Sequence, residues 1–346
     1  MSTERTEIEK LGEFGLIDRL TQNFETLNAS TVLSIGDDAA VIDHFGKQTV
    51  ITTDLLIEGV HFDLMYTPLK HLGYKSVVVN LSDIYAMNAQ PTQITMSVAF
   101  SNRFSLEALE EFYEGVAIAC DKYGVDLIGG DTSTSQKGLI ISVNALGEVA
   151  PDGYIKRSTA ESGDLICVSG DLGAAFLGLT LMEREKQIFL DNPQIQPNLE
   201  NEDYIVGRLL KPEARKDIIE LLEKIEIKPT SLMDISDGLS SDVLHWCKQS
   251  ELGCRLYEEK IPINEASKAA AFKFGLDATV CALNGGEDYE LLFTMKQADY
   301  DKMTMQEEIS VIGYMCDASE GTKLITKGNN LFDITAQGLN AFGKEV

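Results

Sequence analysis

Six short acidic segments of this chain each follow an apolar run, and together they restrict how the chain can fold. Each joins aspartate or glutamate to glycine or a hydroxyl residue: Gly36-Asp37-Asp38, Thr52-Thr53-Asp54, Asn80-Leu81-Ser82-Asp83, Gly129-Gly130-Asp131-Thr132, Asp234-Ile235-Ser236-Asp237-Gly238 and Gly285-Gly286-Glu287-Asp288-Tyr289-Glu290. One such segment is an ordinary turn. Six such segments would repel one another if they converged, because few basic residues lie nearby to balance their charges. They can therefore converge only around cations. Oxygen ligands without Cys or His suit Mg²⁺, which usually shares its shell with phosphate oxygens. The segments therefore predict a Mg²⁺-nucleotide site, although the chain has no GxxxxGK[ST] phosphate loop.

Length and charge limit the class of protein and its partners. With 346 residues, the chain is expected to form two domains. Its formal net charge of −26 argues against nucleic acid or an anionic membrane as a partner. No apolar run is long enough to span a membrane, and the first residues do not resemble a signal peptide. The six cysteines form no CxxC pair and are expected to be buried thiols, which predicts a cytoplasmic location.

The order of predicted elements favours an α+β fold, because strands and helices mix without strict βαβ alternation. Helices are predicted at 11–24, 72–87, 105–124, 174–184, 213–225, 239–250 and 266–274. Strands are predicted at 32–42, 48–53, 94–100, 125–128, 139–147, 165–169, 289–295, 309–314 and 324–326. The turn-rich segment 150–163 is the predicted boundary between domains 1–150 and 151–346, and residues 191–203 are predicted to form an exposed loop.

Several acidic residues allow both a functional and a structural interpretation. Thr52-Thr53-Asp54 at a strand exit either binds Mg²⁺ or forms a turn. Asp83 lies inside a predicted helix, where it either binds a metal or lies on an exposed face. Asp234 and Ser236 are predicted to share one face of a strand. Asp237 either belongs to the same site or is the N-cap of the next helix.

The remaining polar motifs are weaker on their own. Gly129-Gly130 would let backbone N–H groups approach a phosphate, but a tight turn explains it equally well. His61 is the one histidine close to an acidic segment, and a structural role is the simpler interpretation of it alone. Arg157, in Lys156-Arg157-Ser158, offers a cation for phosphate or is a solvated surface residue.

In order and spacing, the segments resemble the thiamine-monophosphate kinase family. The sequences that carry the resemblance are GDDAAVI, TTDLLIEGVHF, NLSDIYAMNAQP, LIGGDTS, DISDGLSSD and GGEDYELLF. The resemblance extends from about Gly12 to Phe342. This family belongs to the superfamily of aminoimidazole-ribonucleotide synthetase. The resemblance implies two α+β domains of mixed, largely antiparallel sheet with packed helices. It also implies that the first domain binds ATP and Mg²⁺ and forms a homodimer, and that the second domain completes the active site.

The resemblance also implies an activity and a set of site residues. The activity is transfer of the γ-phosphoryl group of ATP directly to the phosphate of thiamine monophosphate, with several Mg²⁺ ions and no protein nucleophile. The implied Mg²⁺ ligands are Asp38, Thr52, Thr53, Asp54, Asp83, Asp131, Asp234 and Asp237. The implied ATP contacts are Tyr113, Gly130, Asp131, Arg157 and Ser236. The implied contacts to thiamine monophosphate are His61, Glu287 and an aromatic residue near the C-terminus, for which either Phe342 or the substituted Leu339 stands in this chain.

Two other functions are compatible with parts of this pattern. One is a superfamily enzyme with formyl-glycinamide or selenium chemistry, but the N-terminus lacks the Cys in a Gly-rich loop that selenium chemistry requires. The other is a non-catalytic nucleotide-binding regulator, which would have no need to keep so many metal-binding residues. An assay of ATP turnover with and without thiamine monophosphate separates these alternatives.

Overall fold

The computed structural model of this protein describes residues 19–33 and 41–336. The chain divides into two compact units, Met1–Tyr154 and Ile155–Val346, within the turn-rich segment 150–163. Each unit contains its own sheet with packed helices, so the predicted α+β class is confirmed. The acidic segment Gly36-Asp37-Asp38 and the two alternatives for the C-terminal contact, Leu339 and Phe342, lie outside the described residues, as does most of the predicted helix at 11–24.

The first unit is built on a four-stranded sheet with the order β3-β6-β4-β5. Strands β4 and β5 run parallel, and the other neighbours are antiparallel. A separate antiparallel pair, β1-β2, precedes the sheet along the chain. The strands of this unit are β1 (Thr31–Leu33), β2 (Val41–Ile42), β3 (Gln48–Ile57), β4 (Gln90–Phe100), β5 (Asp126–Thr134) and β6 (Ile140–Val149).

Helix α1 (Leu69–Ala86) packs against this sheet, and α2 (Leu106–Tyr123) packs against α1. Helix α1 is buried without interruption from Leu72 to Ser82. Helix α2 begins at Ser105, whose hydroxyl accepts a hydrogen bond from the N–H of Ala108, and ends at Gly124 in the left-handed conformation. The predicted bounds of this helix, 105–124, coincide with its two capping residues.

The two helices approach closely because each has a glycine at the crossing. A Cβ atom on Gly73 would lie 1.9 Å from the carbonyl oxygen of Phe112, and one on Gly115 would lie 1.9 Å from that of Lys70. Real side chains do not tolerate such distances, so only glycine permits this separation. The crossing fixes the position of α1, and therefore of its polar residues, against the sheet.

The second unit is built on a seven-stranded sheet with the order β13-β12-β9-β11-β7-β10-β8. The pair β12-β9 is parallel, and the other neighbours are antiparallel. Its strands are β7 (Leu165–Ser169), β8 (Ser231–Asp234), β9 (Leu252–Tyr257), β10 (Leu291–Met295), β11 (Ile309–Asp317), β12 (Thr322–Ile325) and β13 (Leu331–Asp333). Its helices are α3 (Ala174–Asp191), α4 (Asp203–Leu210), α5 (Lys216–Lys224), α6 (Leu239–Ser250), α7 (Glu265–Phe274), α8 (Ala278–Asn284) and α9 (Tyr300–Met303).

The core of the second unit lies between the sheet and α6. Trp246 of α6 is fully buried with Val168 of β7 and Met233 of β8. Its indole N–H donates a hydrogen bond to the hydroxyl of Ser231 at 2.5 Å. A smaller cluster, which includes Leu181, Ile205 and Ala270, joins α3, α4 and α7. The hydrogen bond between Trp246 and Ser231 holds α6 against β8.

Most predicted elements agree with the structure, and α6 agrees at both ends. The largest differences concern the strands that carry acidic segments. Thr52-Thr53-Asp54 was expected at a strand exit but lies inside β3, which continues to Ile57 because it pairs with β6 over its whole length. Helices α4, α8 and α9 and strands β9 and β13 were not predicted, and α3 continues to Asp191 where the prediction ended at 184. In the described part of the chain, no helix combines the length and apolar character needed to cross a membrane.

Candidate active site

Three of the predicted Mg²⁺ ligands come together where β3 meets α1. The hydroxyl of Thr52 donates a hydrogen bond to Oδ2 of Asp83 at 2.6 Å. The N–H of Asp54 donates to Oδ1 of Asn80 at 3.0 Å. Thr52 and Asp54 alternate onto the same face of the strand, while Asn80 and Asp83 are one turn apart on the helix. Strand and helix periodicity together therefore build one oxygen-rich group.

The electrostatics of this group favour a bound cation. Burial, and to a smaller extent the nearby charge of Asp83, raise the pKa of Asp54 to about 6. A divalent cation would offset both effects by neutralising the carboxylates. Carboxylate and hydroxyl oxygens are the ligands that Mg²⁺ prefers, so the donor set fits this metal. Within residues 19–33 and 41–336, no group of three or more His, Cys, Asp or Glu side chains is arranged to hold a metal ion.

Three other predicted residues of the first unit lie elsewhere on its sheet. Thr53 alternates onto the opposite face of β3 from Asp54, where its strand neighbour is Asn144. Gly130 and Asp131 belong to β5, and they do not form the turn or strand end that their sequence suggested. A Cβ on Gly130 would lie 1.9 Å from the carbonyl oxygen of Met96, so close approach to β4 explains this glycine. Since β3 and β5 are opposite edges of the sheet, roughly 14 Å of strand spacing separates Asp131 from Asp54.

His61 has a defined tautomer in the turn that follows β3. Its Nδ1 atom accepts a hydrogen bond from the N–H of Ile57 at 3.0 Å. A ring nitrogen that accepts carries no proton, so the proton of the neutral ring is on Nε2. The side chain is exposed. His61 therefore presents an Nε2–H donor, as a contact to a phosphate or another acceptor requires.

Tyr113, a predicted ATP contact, lies in the middle of α2. Its ring packs edge-on against Phe24, with 6.5 Å between the ring centroids, and against Phe112 at 5.6 Å. Burial raises the pKa of Tyr113 to about 12, so the phenol is neutral at physiological pH. The ring is held by aromatic packing, which gives a nucleobase a fixed surface to contact.

A second acidic group forms in the second unit between β8 and α6. Asp234 ends β8 and is buried, while Ser236 and Asp237 lie in the following loop and are exposed. The N-cap of α6 is Gly238, so the alternative role of Asp237 as N-cap is wrong. Because β8 ends at Asp234, Ser236 lies beyond the strand and does not share a strand face with it.

Asp242 is a member of this group that the sequence interpretation missed. It lies in the first turn of α6, is 4% exposed, and its Oδ2 atom has no hydrogen-bond partner in the described structure. Burial raises its pKa to about 8, and the charges of Asp234 and Asp237 contribute. Asn80 was missed in the same way. Both residues belong to segments that were singled out, DISDGLSSD and NLSDIYAMNAQP, but they resemble ordinary helix-surface residues in sequence.

Arg157 is the predicted cation nearest to this acidic group. It lowers the pKa of Asp242, which opposes the effect of burial. Its carbonyl oxygen accepts hydrogen bonds from the hydroxyls of Ser231 at 2.8 Å and Ser250 at 2.9 Å. The exposed side chain therefore extends from a backbone that β8 and α6 both hold. A guanidinium in this place can contact a phosphate group.

Glu287 lies in the loop that leads into β10, beside the second acidic group. Its N–H donates a hydrogen bond to the carbonyl oxygen of Ser236 at 2.7 Å. Its φ of 58° is in the left-handed region, which is unusual for a glutamate. The predicted ATP contact Ser236 and the predicted acceptor contact Glu287 are therefore neighbours within the second unit.

Each unit thus holds one group of the predicted site residues. The first unit joins Thr52, Asp54 and Asp83, and the second joins Asp234, Ser236, Asp237 and Glu287. Both groups consist of oxygen ligands with hydrogen-bond donors at their edges. Such groups suit charge neutralisation and positioning of phosphorylated molecules, which is what phosphoryl transfer mainly requires.

Comparison with known proteins gives these groups a context. Residues 36–149 match the family described as AIR synthase related protein, N-terminal domain. The thiamine-monophosphate kinase of Aquifex aeolicus (strain VF5) is 35% identical over 302 residues, covering 87% of this chain and 92% of that protein. The crystal structure of thiamine-monophosphate kinase from Stenotrophomonas maltophilia K279a has a TM-score of 0.77 at 32% identity, covering 94% of this chain and 98% of that one. The structure of AaThiL complexed with AMPPCP and TMP has a TM-score of 0.72 at 30% identity, covering 97% of this chain and 99% of that one.

Proposed function

The chain belongs to the thiamine-monophosphate kinase family, and from this premise we propose how it phosphorylates thiamine monophosphate at the expense of ATP. The similarity to thiamine-monophosphate kinases along most of the chain carries the activity. A neighbour with an ATP analogue and TMP bound supports both substrates. The finer proposal is direct transfer of the γ-phosphoryl group to the phosphate of the acceptor, assisted by Mg²⁺.

Mg²⁺ would be held by two sets of oxygen ligands, one in each unit. In the first unit these are Asp54, Asp83 and the hydroxyl of Thr52, with Asp38, Thr53 and Asp131 as the further ligands that the family pattern implies. In the second unit they are Asp234 and Asp237. When bound, Mg²⁺ neutralises phosphate oxygens and so lowers the repulsion between two anionic substrates. The raised pKa of Asp54 supports the proposal, because such a carboxylate gains most from a neighbouring cation.

ATP would be contacted by Tyr113, Gly130 and Asp131 of the first unit, and by Arg157 and Ser236 of the second. Tyr113 offers a fixed aromatic surface and Arg157 a cation. The chain supplies no nucleophile in this proposal, because the acceptor phosphate itself attacks the γ-phosphorus. The residues act by holding the reacting groups in line and by excluding alternative geometries.

Thiamine monophosphate would be contacted by His61 and Glu287, with Phe342 or Leu339 as the third contact. The Nε2–H of His61 is suited to donate to the acceptor phosphate, since its Nδ1 is already engaged by the backbone. Glu287 carries a charge opposite to that of the thiazolium ring of the acceptor.

We also propose that the enzyme is a cytoplasmic homodimer that forms through its first unit. Ile51 and Leu55 are 66% and 51% exposed on the side of β3 that faces away from α1. An apolar sheet face of this kind is typical of surfaces that pair with another copy. All six cysteines are free and buried, which is compatible with a reducing compartment.

The test is a product assay with ATP and each of two acceptors, thiamine monophosphate and thiamine, with Mg²⁺ and with excess chelator. We expect thiamine diphosphate from the monophosphate in the presence of Mg²⁺ only, and little product from thiamine. Equal rates with thiamine would contradict a phosphate acceptor. Full activity in chelator would contradict the role of the metal.

A further inference from the structure

The loop that carries Glu287 has an unfavourable backbone conformation. Gly286, Glu287 and Tyr289 all have positive φ, at 80°, 58° and 52°. Positive φ is unstrained for glycine but costs of order 1 kcal/mol or more for a residue with a side chain. Two such residues within one short loop persist only if the surrounding structure holds them. The residues between and after them, Asp288 and Glu290, provide the contacts that do so.

Asp288 ties the loop to the start of α3. Its two carboxylate oxygens accept hydrogen bonds from the N–H of Gly173 at 3.1 and 2.9 Å. The side chain is 1% exposed. Gly173 itself has a φ of 84°, and a Cβ there would lie 2.8 Å from the backbone of Ala282. The loop, the start of α3 and the backbone of α8 are therefore packed in direct contact.

Glu290 ties the end of the loop to two arginines and a serine. Its side chain is fully buried and pairs with Arg208 at 2.9 Å and with Arg215. It also accepts a hydrogen bond from the hydroxyl of Ser169 at 2.5 Å, and Ser169 in turn accepts one from the N–H of Leu291 at 2.8 Å. A buried charge with this many partners has a single favourable position.

Arg208 connects these contacts to each other. Besides its pairing with Glu290, its Nη2 atom donates to the carbonyl oxygens of Asp171 and Asp288, both at 3.2 Å. All three contacts are made by Nη2, whose direction the planar guanidinium fixes, whereas the ammonium of a lysine is a point charge on a flexible stem and does not keep this geometry. Arg208 lies on α4, one turn after Tyr204, whose hydroxyl donates to the carboxylate of Asp171. Helix α4 thus holds the two loops that start at 170 and at 285.

We propose that Glu290 and Arg208 are positioning residues that hold Glu287 in place for the acceptor. Along the loop, Asp288 and Glu290 are directed into the unit and are anchored, so the left-handed backbone of Glu287 is fixed from the C-terminal side. From the N-terminal side, its N–H is held by the carbonyl oxygen of Ser236. The inference rests on the proposed function, because it assigns Glu287 to the thiamine monophosphate site.

The first experiment compares kinetics of Glu290→Gln, Arg208→Lys and the milder Ser169→Ala with Glu265→Gln as the matched control. Glu265 is exposed and pairs with Lys268 at the surface, so the control changes the same chemistry without touching the loop. In Glu290→Gln, Arg208→Lys and Ser169→Ala we expect the KM for thiamine monophosphate to rise about tenfold, as for one lost polar contact. The KM for ATP should stay within about a factor of two in all four, as for surface changes. If Glu290→Gln fails to fold, Ser169→Ala carries the test.

The second experiment separates positioning from a general structural effect. Each of these three substitutions is combined with Glu287→Ala, and the KM for thiamine monophosphate is measured for each double variant. If Glu290 and Arg208 act through Glu287, their substitution has no further effect once Glu287 is gone. Equal effects in both backgrounds overturn the inference. Absence of thiamine diphosphate formation by the unsubstituted enzyme overturns the proposed function instead, so the two failures are distinguishable.

Discussion

At the scale of the residue, Asp54 is the carboxylate on which the metal proposal depends most. We expect Asp54→Asn to lower turnover roughly a thousandfold, because loss of a metal-binding charge removes several kcal/mol of transition-state stabilisation. Asp131→Asn should act in the same direction if it completes the metal set. The measurement is kcat at saturating Mg²⁺, with thermal unfolding to confirm the fold. The matched control is Asp121→Asn, at an exposed position of α2. A near-normal rate for Asp54→Asn would remove this residue from the metal site.

His61 should act on the acceptor more than on ATP. We expect His61→Ala to raise the KM for thiamine monophosphate by about tenfold, the effect of one lost hydrogen bond to a charged group. The reason is the Nε2–H donor that the Nδ1 contact to Ile57 defines. His44, which contacts Thr49 through its Nδ1, provides the control variant His44→Ala. A selective rise in the KM for ATP would assign His61 to the nucleotide.

Asp288 gives the fold a dependence on pH with a definite sign. The pKa of Asp288 is raised to about 7, because burial and the charges of Glu290 and Asp171 outweigh the opposing effects of Arg208 and the N–H of Gly173. The ordinary value is 3.8, so between these values the folded chain holds a proton that the unfolded chain releases. The free energy of unfolding should therefore fall as pH rises through this range, by up to about 1.4 kcal/mol per pH unit from this residue. In Asp288→Asn the free energy of unfolding should fall less over this pH range. Urea unfolding at several pH values without Mg²⁺ measures the difference. An unchanged slope would contradict the raised pKa.

The acidic residues show how far sequence reasoning reaches at this scale. Asp83 was singled out because an acidic residue inside an apolar helical segment needs a reason to be there, and Asp54 and Asp234 because they belong to acidic segments that follow apolar runs. Asp242 could not, because an aspartate in the first turn of a helix is ordinarily a favourable surface residue. Only the packing of α6 against β8 buries it beside Asp234. Whether a polar residue faces water or a site is decided by tertiary contacts that no local pattern contains.

At the scale of the element, the crossing of α1 and α2 depends on Gly73. We expect Gly73→Ala to lower the free energy of unfolding by about 1–3 kcal/mol, as for an overpacked core, since the new Cβ would meet the carbonyl of Phe112. Gly207→Ala in α4 is the matched control. It has open space around its Cα and should stabilise the chain by up to about 1 kcal/mol, because alanine favours the helix. Chemical denaturation measures both. Equal effects of the two substitutions would show that the helices do not pack as described.

Helix boundaries were better predicted than the strands that carry the site. The cap at Ser105 and the stop at Gly124 are local signals, so α2 could be placed from its sequence. Strands β3 and β5 contain polar and glycine residues that resemble turns when considered alone. Pairing with β6 and β4 extends both strands through these residues, because long-range hydrogen bonds outweigh local preference.

At the scale of the whole molecule, the proposed homodimer depends on the exposed side of β3. We expect the unsubstituted protein to be dimeric at micromolar concentration and the double variant Ile51→Lys, Leu55→Lys to be monomeric. Two charges placed in an apolar interface without partners would cost several kcal/mol. Light scattering gives the mass. Met305→Lys, at an 85% exposed position of the second unit, is the control and should remain dimeric. A monomeric unsubstituted protein would refute the proposal.

The burial of α1 from Leu72 to Ser82 has a consequence for how the enzyme can be altered. The helix that carries Asn80 and Asp83 has no solvent side along this stretch, and the half-buried Thr52, Asp54 and Asp83 that would hold the metal border this core. A repacking substitution along this stretch would displace those oxygens as well as change the core. Thermostability and turnover are therefore not separate targets for laboratory evolution of the first unit. Variants selected for either property should accumulate outside this helix, where the two can change independently.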